Sequence, residues 1–339
     1  MTMRIGLTYD LKEAVPVDHV HSEDALEEYD SQQTVDDIAS AIESLGHSVV
    51  RLGGGREFLQ KVLMEPVDLV FNIAEGLGNY RSREAQVPSV LEMLDIPYAG
   101  SDPQCLAICL DKPLTKKLVN AAGVLTPNWR TVVNEAQLGE MSWGDFPFPA
   151  FVKPAYEGSS KGIRLSSRVE SEEALIRAVE HVLAEYRQPA LVEEFIEGDE
   201  VTVGVIGNTP PAVLGIMRVL TKDGRPPSAY SLEVKRDWES LLDYECPARF
   251  EERILRRLRD AGARAFQVLG CRDMARLDFR VTPEGSPYFL EVNPLPGLNS
   301  YSSDLPIMAR KLGISYTQLI ASILESALSR CPLCVPSPR

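Results

Sequence analysis

Apolar residues recur at Val35, Ile38, Ala39, Ile42 and Leu45, a helical spacing, and Gly46 follows as a stop. Before this helix, Met3 to Tyr9 reads as a strand. After it, Val67 to Ile73 is a short apolar run behind Pro66, read as a buried strand. Strand, helix and strand in that order predict an α/β domain with a doubly wound parallel sheet over residues 1–100. Residues 10–32, between the first strand and its helix, form an unusually long acidic connection, a length that is often functional. Gly53-Gly54-Gly55 lacks the Gly-Lys-Ser/Thr ending of a phosphate loop and reads as a turn.

The pattern changes near residue 101. A central unit, residues 101–190, carries a helix over Leu114 to Ala122 and a strand over Phe148 to Pro154. Its second helix is capped by Ser171, has Glu172 and Glu173 in the first turn, and buries Leu175, Ala178, Val179, Val182 and Leu183. A third unit, residues 191–330, begins with strands over Ala190 to Phe195 and Glu200 to Ile206. It continues with a helix over 251–269, which ends at Gly270, and closes with two late strands. Residues 331–339 are a tail.

The two late strands carry the most physics. Met274 to Val281 alternates, with Ala275, Leu277, Phe279 and Val281 on one face and Arg276, Asp278 and Arg280 on the other. Tyr288 to Asn293 also alternates, with Phe289, Glu291 and Asn293 sharing a face. Pro283-Glu284-Gly285-Ser286 between them is a turn composition. A four-residue loop sets Thr282 against Pro287 and therefore Asp278 against Glu291. Like charges facing across a ladder are destabilising. Two readings follow: a hard divalent cation held by Asp278, Glu291 and the amide oxygen of Asn293, or a solvated polar face neutralised by Arg276 and Arg280.

Charge and composition narrow the partners. The chain has 339 residues, 44% of them hydrophobic, and a formal net charge of −14. That balance gives no broad positive field for nucleic acid. No run of about 18 apolar residues and no apolar leader occur, so a soluble, cytoplasmic protein without membrane contact is expected. The six cysteines look scattered. Cys331 and Cys334 form the one tight pair, and half of a zinc site is weighed there against a reduced tail.

Two further segments suit a nucleotide. Lys153-Pro154 leads into Glu157-Gly158-Ser159-Ser160-Lys161-Gly162, a loop whose backbone can cradle phosphates beside a lysine. In Glu193-Glu194-Phe195-Ile196 through Glu200, backbone groups and Glu193 can read an adenine edge. Ile196 can pack on the base and Glu200 can accept from ribose.

Taken in order, these segments resemble the ATP-grasp superfamily, and within it the D-alanine–D-alanine ligases. The likeness runs from about Leu91 to Leu324. It includes Ile96-Pro97-Tyr98-Ala99-Gly100-Ser101, Leu110-Asp111-Lys112, Glu233-Val234-Lys235, Tyr244-Glu245-Cys246-Pro247-Ala248, Arg276-Leu277-Asp278 and Glu291-Val292-Asn293-Pro294-Leu295-Pro296-Gly297.

The resemblance implies ATP between the second and third units. It implies Lys112, Lys153, Glu157, Ser159, Ser160, Glu193, Glu194, Ile196, Glu200 and Lys235 around the nucleotide. Two Mg²⁺ ions, with Mn²⁺ as a substitute, would lie on Asp278, Glu291 and Asn293. It implies Arg276, Lys235 and Ser159 as catalytic, an acyl-phosphate route from carboxylate and amine to amide, a covering loop over residues 222–240, and a homodimer.

The departures fall on the substrates. Glu27 takes the place of the family's glutamate for the first ammonium, and Arg236 replaces a tyrosine in the covering loop. Gly297, Ser302 and Ser303 fall where the second carboxylate is held, with Asp304 inserted. Arg81, Arg83 and Arg236 are candidate contacts for an acidic or larger first substrate, so the expected first substrate is not D-alanine. The rival expectations are an authentic D-alanine–D-alanine ligase, a non-catalytic nucleotide-binding scaffold, and an enzyme acting on a carrier-bound or peptide carboxylate.

Overall fold

A computed structural model of the chain describes residues 2–15, 22–227 and 231–331. Strands β1 (Arg4–Thr8), β2 (Ser48–Gly53), β3 (Leu69–Asn72) and β4 (Tyr98–Ala99) form one parallel sheet in the order β2-β1-β3-β4. The helix Gln32–Ser44 buries Val35, Ile38, Ala39 and Ile42 against it, and the Ser31 hydroxyl accepts from the Thr34 N–H at its start. The chain order reverses between β1 and β3. In open α/β sheets, the crevice beyond the strand ends at such a point is where ligands bind. Lys12 and Glu27 to Asp30, which follow β1, and Ile73 and Glu75, which follow β3, border that crevice. The three-glycine stretch is the β2–helix junction. A Cβ on Gly54 would lie 1.9 Å from Asp10 Oδ1, so the close approach requires glycine.

The other two sheets are antiparallel. β5 (Trp129–Val132), β6 (Ala150–Pro154), β7 (Arg168–Val169) and β8 (Ala190–Glu194) lie in the order β5-β8-β6-β7. The sequence boundary at 190/191 put the strand β8 in the third unit. Its pairing with β5 and β6 makes it a central strand, and the sheets change between Glu194 and Asp199. β9 (Asp199–Ile206), β10 (Ala212–Thr221), β11 (Leu242–Glu245), β12 (Met274–Val281) and β13 (Pro287–Asn293) follow in the order β11-β10-β9-β12-β13. The helix Glu252–Val268 covers one face through Leu258, Ala265 and Phe266.

Two helices pack away from the unit their position suggests. The helix Tyr316–Arg330 sets Leu319, Ile320, Ile323 and Leu324 into the same apolar cluster as Ile5, Leu7 and Ile38 of the first domain. The helix Pro103–Leu110 sets Cys105 and Cys109 against the third unit's core. These packings tie the first domain to the sheet that carries Asp278 and Glu291.

The β12–β13 register holds the main surprise of the fold. Val281, not Thr282, pairs with Pro287, and a bulge follows between Phe279↔Phe289 and Asp278↔Glu291. A turn one residue longer than expected and one extra residue, Leu290, cancel. Asp278 does face Glu291. The expected alternation does not survive the bulge: Phe289 is buried against Phe279, at a ring separation of 5.7 Å, on the face opposite Glu291. The bulge leaves Leu290 and Glu291 both on the side of the cleft.

Candidate active site

The cleft between the two antiparallel sheets holds a cavity lined by residues of both. Its apolar walls are Phe151, Phe195, Ile196 and Leu290, and Lys153, Ser160, Glu200, Asp278 and Glu291 bring polar atoms to it. The apolar end suits a flat base, and the lysine–carboxylate end suits phosphates. Glu200 also meets Arg280 at 3.0 Å, and Arg280 lies over the Phe195 ring. Glu194 borders the cavity while accepting a 2.7 Å hydrogen bond from Asn128.

Some side chains turn elsewhere than expected. Glu193 is buried between Lys116, 2.5 Å away, and Lys153, 2.8 Å away. Burial opposes its ionisation, but the two lysines overcome it and hold the carboxyl down at about 2. Burial in turn brings Lys116 down to about 8 despite that partner. The Glu193 carboxylate therefore anchors two lysines at the cavity that Glu193 itself lines. Lys116 was missed, although its position four residues after Lys112 puts both on one face of the helix Lys112–Ala121. Glu157 does not face the cavity either. Its carboxylate joins a buried cluster with Arg83 at 2.9 Å and Lys161 at 2.6 Å, and Gln188 donates to it. What reaches the cleft from Glu157 is its carbonyl, which accepts from Lys112.

At the floor, Arg276 donates to Asp278 Oδ2 at 2.8 Å and lies 3.1 Å from Asp304 and 3.8 Å from Glu291. Thr202 donates to Asp278 Oδ1 at 2.9 Å. Burial, with Glu291 and Asp304 nearby, pushes Asp278 up to about 6 in spite of Arg276. Burial also works against Glu291, yet Lys112, Lys153 and Arg276 bring it below the usual carboxylate range. Asn293 is across from Arg276 in the ladder. This oxygen-only donor set fits a hard divalent cation.

A second, larger cavity of about 330 Å³ adjoins the first. Gly158, Ser159, Lys235, Arg276, Gly297, Ser302 and Ser303 border it, so the loop at Ser159 and Ser160 stands between the two cavities. Both serines hold positive φ, 50° and 61°, which turns the loop back sharply. At Gly297 a Cβ would come within 2.8 Å of Ser303 Oγ. Ser302 and Ser303 are engaged with Asn299.

The covering loop reaches the first domain here. Arg236 donates to Glu27 at 2.7 and 3.0 Å and to Glu23 at 3.1 Å. Glu27 and Arg236, expected as substrate contacts, thus hold each other across the cavity rim. Residues 228–230 of that loop lie outside the described residues. The other candidate arginines have acid partners too: Arg81 lies 3.7 Å from Asp111, and Arg83 is buried on Glu28 and Glu157. No cation is left over for an acidic substrate from this trio.

The cysteines are less scattered than they look. Cys105 Sγ lies 3.8 Å from Cys109 Sγ and 3.7 Å from Cys271 Sγ, in the third unit's core and away from both cavities. Cys334 lies outside the described residues. Among the described residues, no helix is long and apolar enough to cross a membrane.

Three sheets, with a lysine- and carboxylate-lined cleft between the two antiparallel ones and opposed acids at its floor, are the arrangement of an ATP-grasp ligase. The comparisons place it further. The family described as D-ala D-ala ligase C-terminus matches residues 118–325. The D-alanine–D-alanine ligase of Aquifex aeolicus is 35% identical, over 85% of this chain and 92% of its own. An uncharacterized protein, y4sG, of Sinorhizobium fredii is 34% identical, over 87% of each. In fold, the chain is similar to the D-alanine–D-alanine ligase of Bacillus anthracis complexed with ATP (TM-score 0.75, 24% identity, 97% of this chain and 98% of that one). The chain belongs to the D-alanine–D-alanine ligase family of ADP-forming, ATP-dependent ligases.

Proposed function

We propose that this enzyme joins a carboxylate to an amine through an acyl phosphate and that its first substrate is not D-alanine. The observation that carries the chemistry is the meeting of Lys112, Lys153 and Arg276 with the opposed Asp278 and Glu291 at the point where the two cavities join. ATP lies in the first cavity with its base between Phe195, Ile196 and Leu290. Asp278, Glu291 and Asn293 would hold Mg²⁺, which would supply neutralisation of phosphate charge. Lys112 and Lys153 bind the phosphates, and the Ser159–Ser160 loop folds over them.

A carboxylate oxygen of the first substrate attacks the γ-phosphorus and ADP leaves. The second substrate's amine nitrogen, having lost its proton, then attacks the acyl carbon. Arg276 and Lys235 stabilise the tetrahedral oxyanion, and phosphate leaves as the amide forms. The Arg236–Glu27 contact closes the covering loop and keeps water from the acyl phosphate.

What supports a first substrate other than D-alanine is the wall it meets, where Glu27 is held by Arg236 and carboxyls outnumber cations. An authentic D-alanine–D-alanine ligase is the second reading, favoured by the 35% identity to the Aquifex aeolicus ligase. ADP release with Mg·ATP across D- and L-amino acids, singly and in pairs, with mass spectrometry of products, decides between them. A new amide from a pair without D-alanine supports the proposal. D-alanyl-D-alanine as the one product sinks it.

A further inference from the structure

The larger cavity has a charge imbalance at its first-domain end. Glu28 is neutralised by Arg83 at 2.7 Å and Lys161 at 2.9 Å, Glu27 by Arg236, and Asp304 by Arg276. Asp30, Glu75 and Glu84 also border the cavity, and none of them has an ion-pair partner within 4 Å among the described residues. Glu84 is the sharpest case. It is 8% exposed and accepts no side-chain hydrogen bond among the described residues, yet its side chain lines the cavity. A buried carboxylate left this way is costly unless something arrives to pair with it.

The three acids come from three places: the connection after β1, the end of β3, and the 3-10 turn Arg83–Ala85. They converge at the strand-order reversal of the parallel sheet. The charged groups around them are Asp10 and Lys12 from the first connection, Glu28 and Arg83, and Lys112. Of these cations, Arg83 points into its own acid cluster and Lys112 toward Glu157 and Glu291, while Lys12 borders the cavity near Asp30 without outweighing its burial. Burial, with Asp10 beside it, pushes Asp30 up to about 7; burial, with Glu28 nearby and in spite of Arg83, pushes Glu84 up to about 7; and burial, with Glu84, Glu28 and Asp30 nearby, pushes Glu75 well above its ordinary value.

We infer that this end of the cavity is a subsite for a cationic amine, and that the substrate seated against the first domain is a basic, diamino-type amino acid. The inference rests on the ligase reading only for calling the ligand a substrate. A primary ammonium is compact and has three donors, enough to meet Asp30, Glu75 and Glu84 at once. A single α-ammonium would neutralise one of three unpaired acids; a second ammonium on the side chain leaves fewer uncompensated. Because Asp30 and Glu84 are raised to about 7, an ammonium arriving beside them displaces protons.

The test is calorimetry in the presence of magnesium and a non-hydrolysable ATP analogue. Lysine, ornithine and alanine (D and L) and glutamate are titrated at pH 7 in two buffers of different ionisation enthalpy. A diamino acid is expected to bind at least tenfold more tightly than alanine, with net release of protons to the buffer. Glu84→Gln, nearly isosteric, should weaken the diamino acid about tenfold, reduce the proton release, and leave affinity for the ATP analogue unchanged. Glu75→Gln provides a second variant with the same expectation. No binding of any diamino acid, binding of alanine or glutamate as tight as theirs, or equal weakening of all ligands by Glu84→Gln overturns the inference. Binding with proton release but no ADP formation with ATP leaves the subsite standing and overturns the ligase reading instead.

Discussion

The two cavities share the Ser159–Ser160 loop and treat their carboxyls in opposite ways. In the nucleotide cleft, Glu193 lies between two lysines and Glu291 among three cations, and both titrate below their ordinary range. In the cavity against the first domain, Glu75, Glu84 and Asp30 have no ion-pair partner within 4 Å among the described residues, and all three titrate above it. The first arrangement is complete in the protein alone apart from the floor at Asp278. The second is complete only with something bound. One residue type therefore plays two roles, set by what its neighbours supply.

The largest expected effect is at the floor of the cleft. Asp278→Asn with Glu291→Gln should lower kcat for ADP formation by about 10³-fold or more, because charge stabilisation at the phosphates is lost. A smaller loss, at unchanged affinity for ATP, would remove these acids from the chemistry.

Next comes a pair of identical substitutions with opposite signs. Glu193→Gln removes the partner of two buried lysines and should cost ~3–5 kcal/mol of stability at pH 7, read from urea unfolding. Glu84→Gln removes an uncompensated charge and should stabilise by on the order of 2 kcal/mol at pH 8. At pH 5 its effect should nearly vanish, since folded Glu84 then holds its proton. If both substitutions destabilise alike at pH 8, the contrast between the cavities fails.

The pH profile follows from the same shifts. Glu193 is depressed, so its contribution is present above its unfolded value near 4.5 and is lost as pH falls toward about 2. Glu84 is raised, so the folded state binds more protons than the unfolded one between about 4.5 and 7, and stability falls as pH rises through that window. Unfolding of the wild type and of each variant from pH 3 to 8 separates the two. The smallest effect belongs to the latch. Arg236→Ala breaks a half-exposed ion pair and should change stability by less than ~1 kcal/mol, while raising ATP hydrolysis without amide formation. Unchanged coupling would leave Arg236 as a surface contact.

The sequence carried the frame of the cleft well because that frame is local. Helical spacing located Val35 to Ile42, capping located Ser171, and the strand pattern opposed Asp278 to Glu291. That last match came about through two departures that cancel, a longer turn and the bulge at Leu290, and neither has a composition signature. The ion partners were not legible. Glu157 sits beside the glycine–serine loop in sequence, yet its carboxylate turns to Arg83, 74 residues away. Arg83 and Arg236 read as free cations until the long acidic connection folds Glu28 and Glu27 onto them. Cys271 joins Cys105 and Cys109 only through packing of the second unit's first helix on the third unit. Periodicity specifies which face is buried; it does not specify which distant charge a side chain meets.

The central claim is that a carboxylate oxygen attacks the γ-phosphate before the amide forms. It is tested by running the reaction with a first substrate whose carboxylate carries heavy oxygen and weighing the products. The account predicts one labelled oxygen in the released phosphate for each amide formed. Phosphate without label, at normal amide yield, would contradict it.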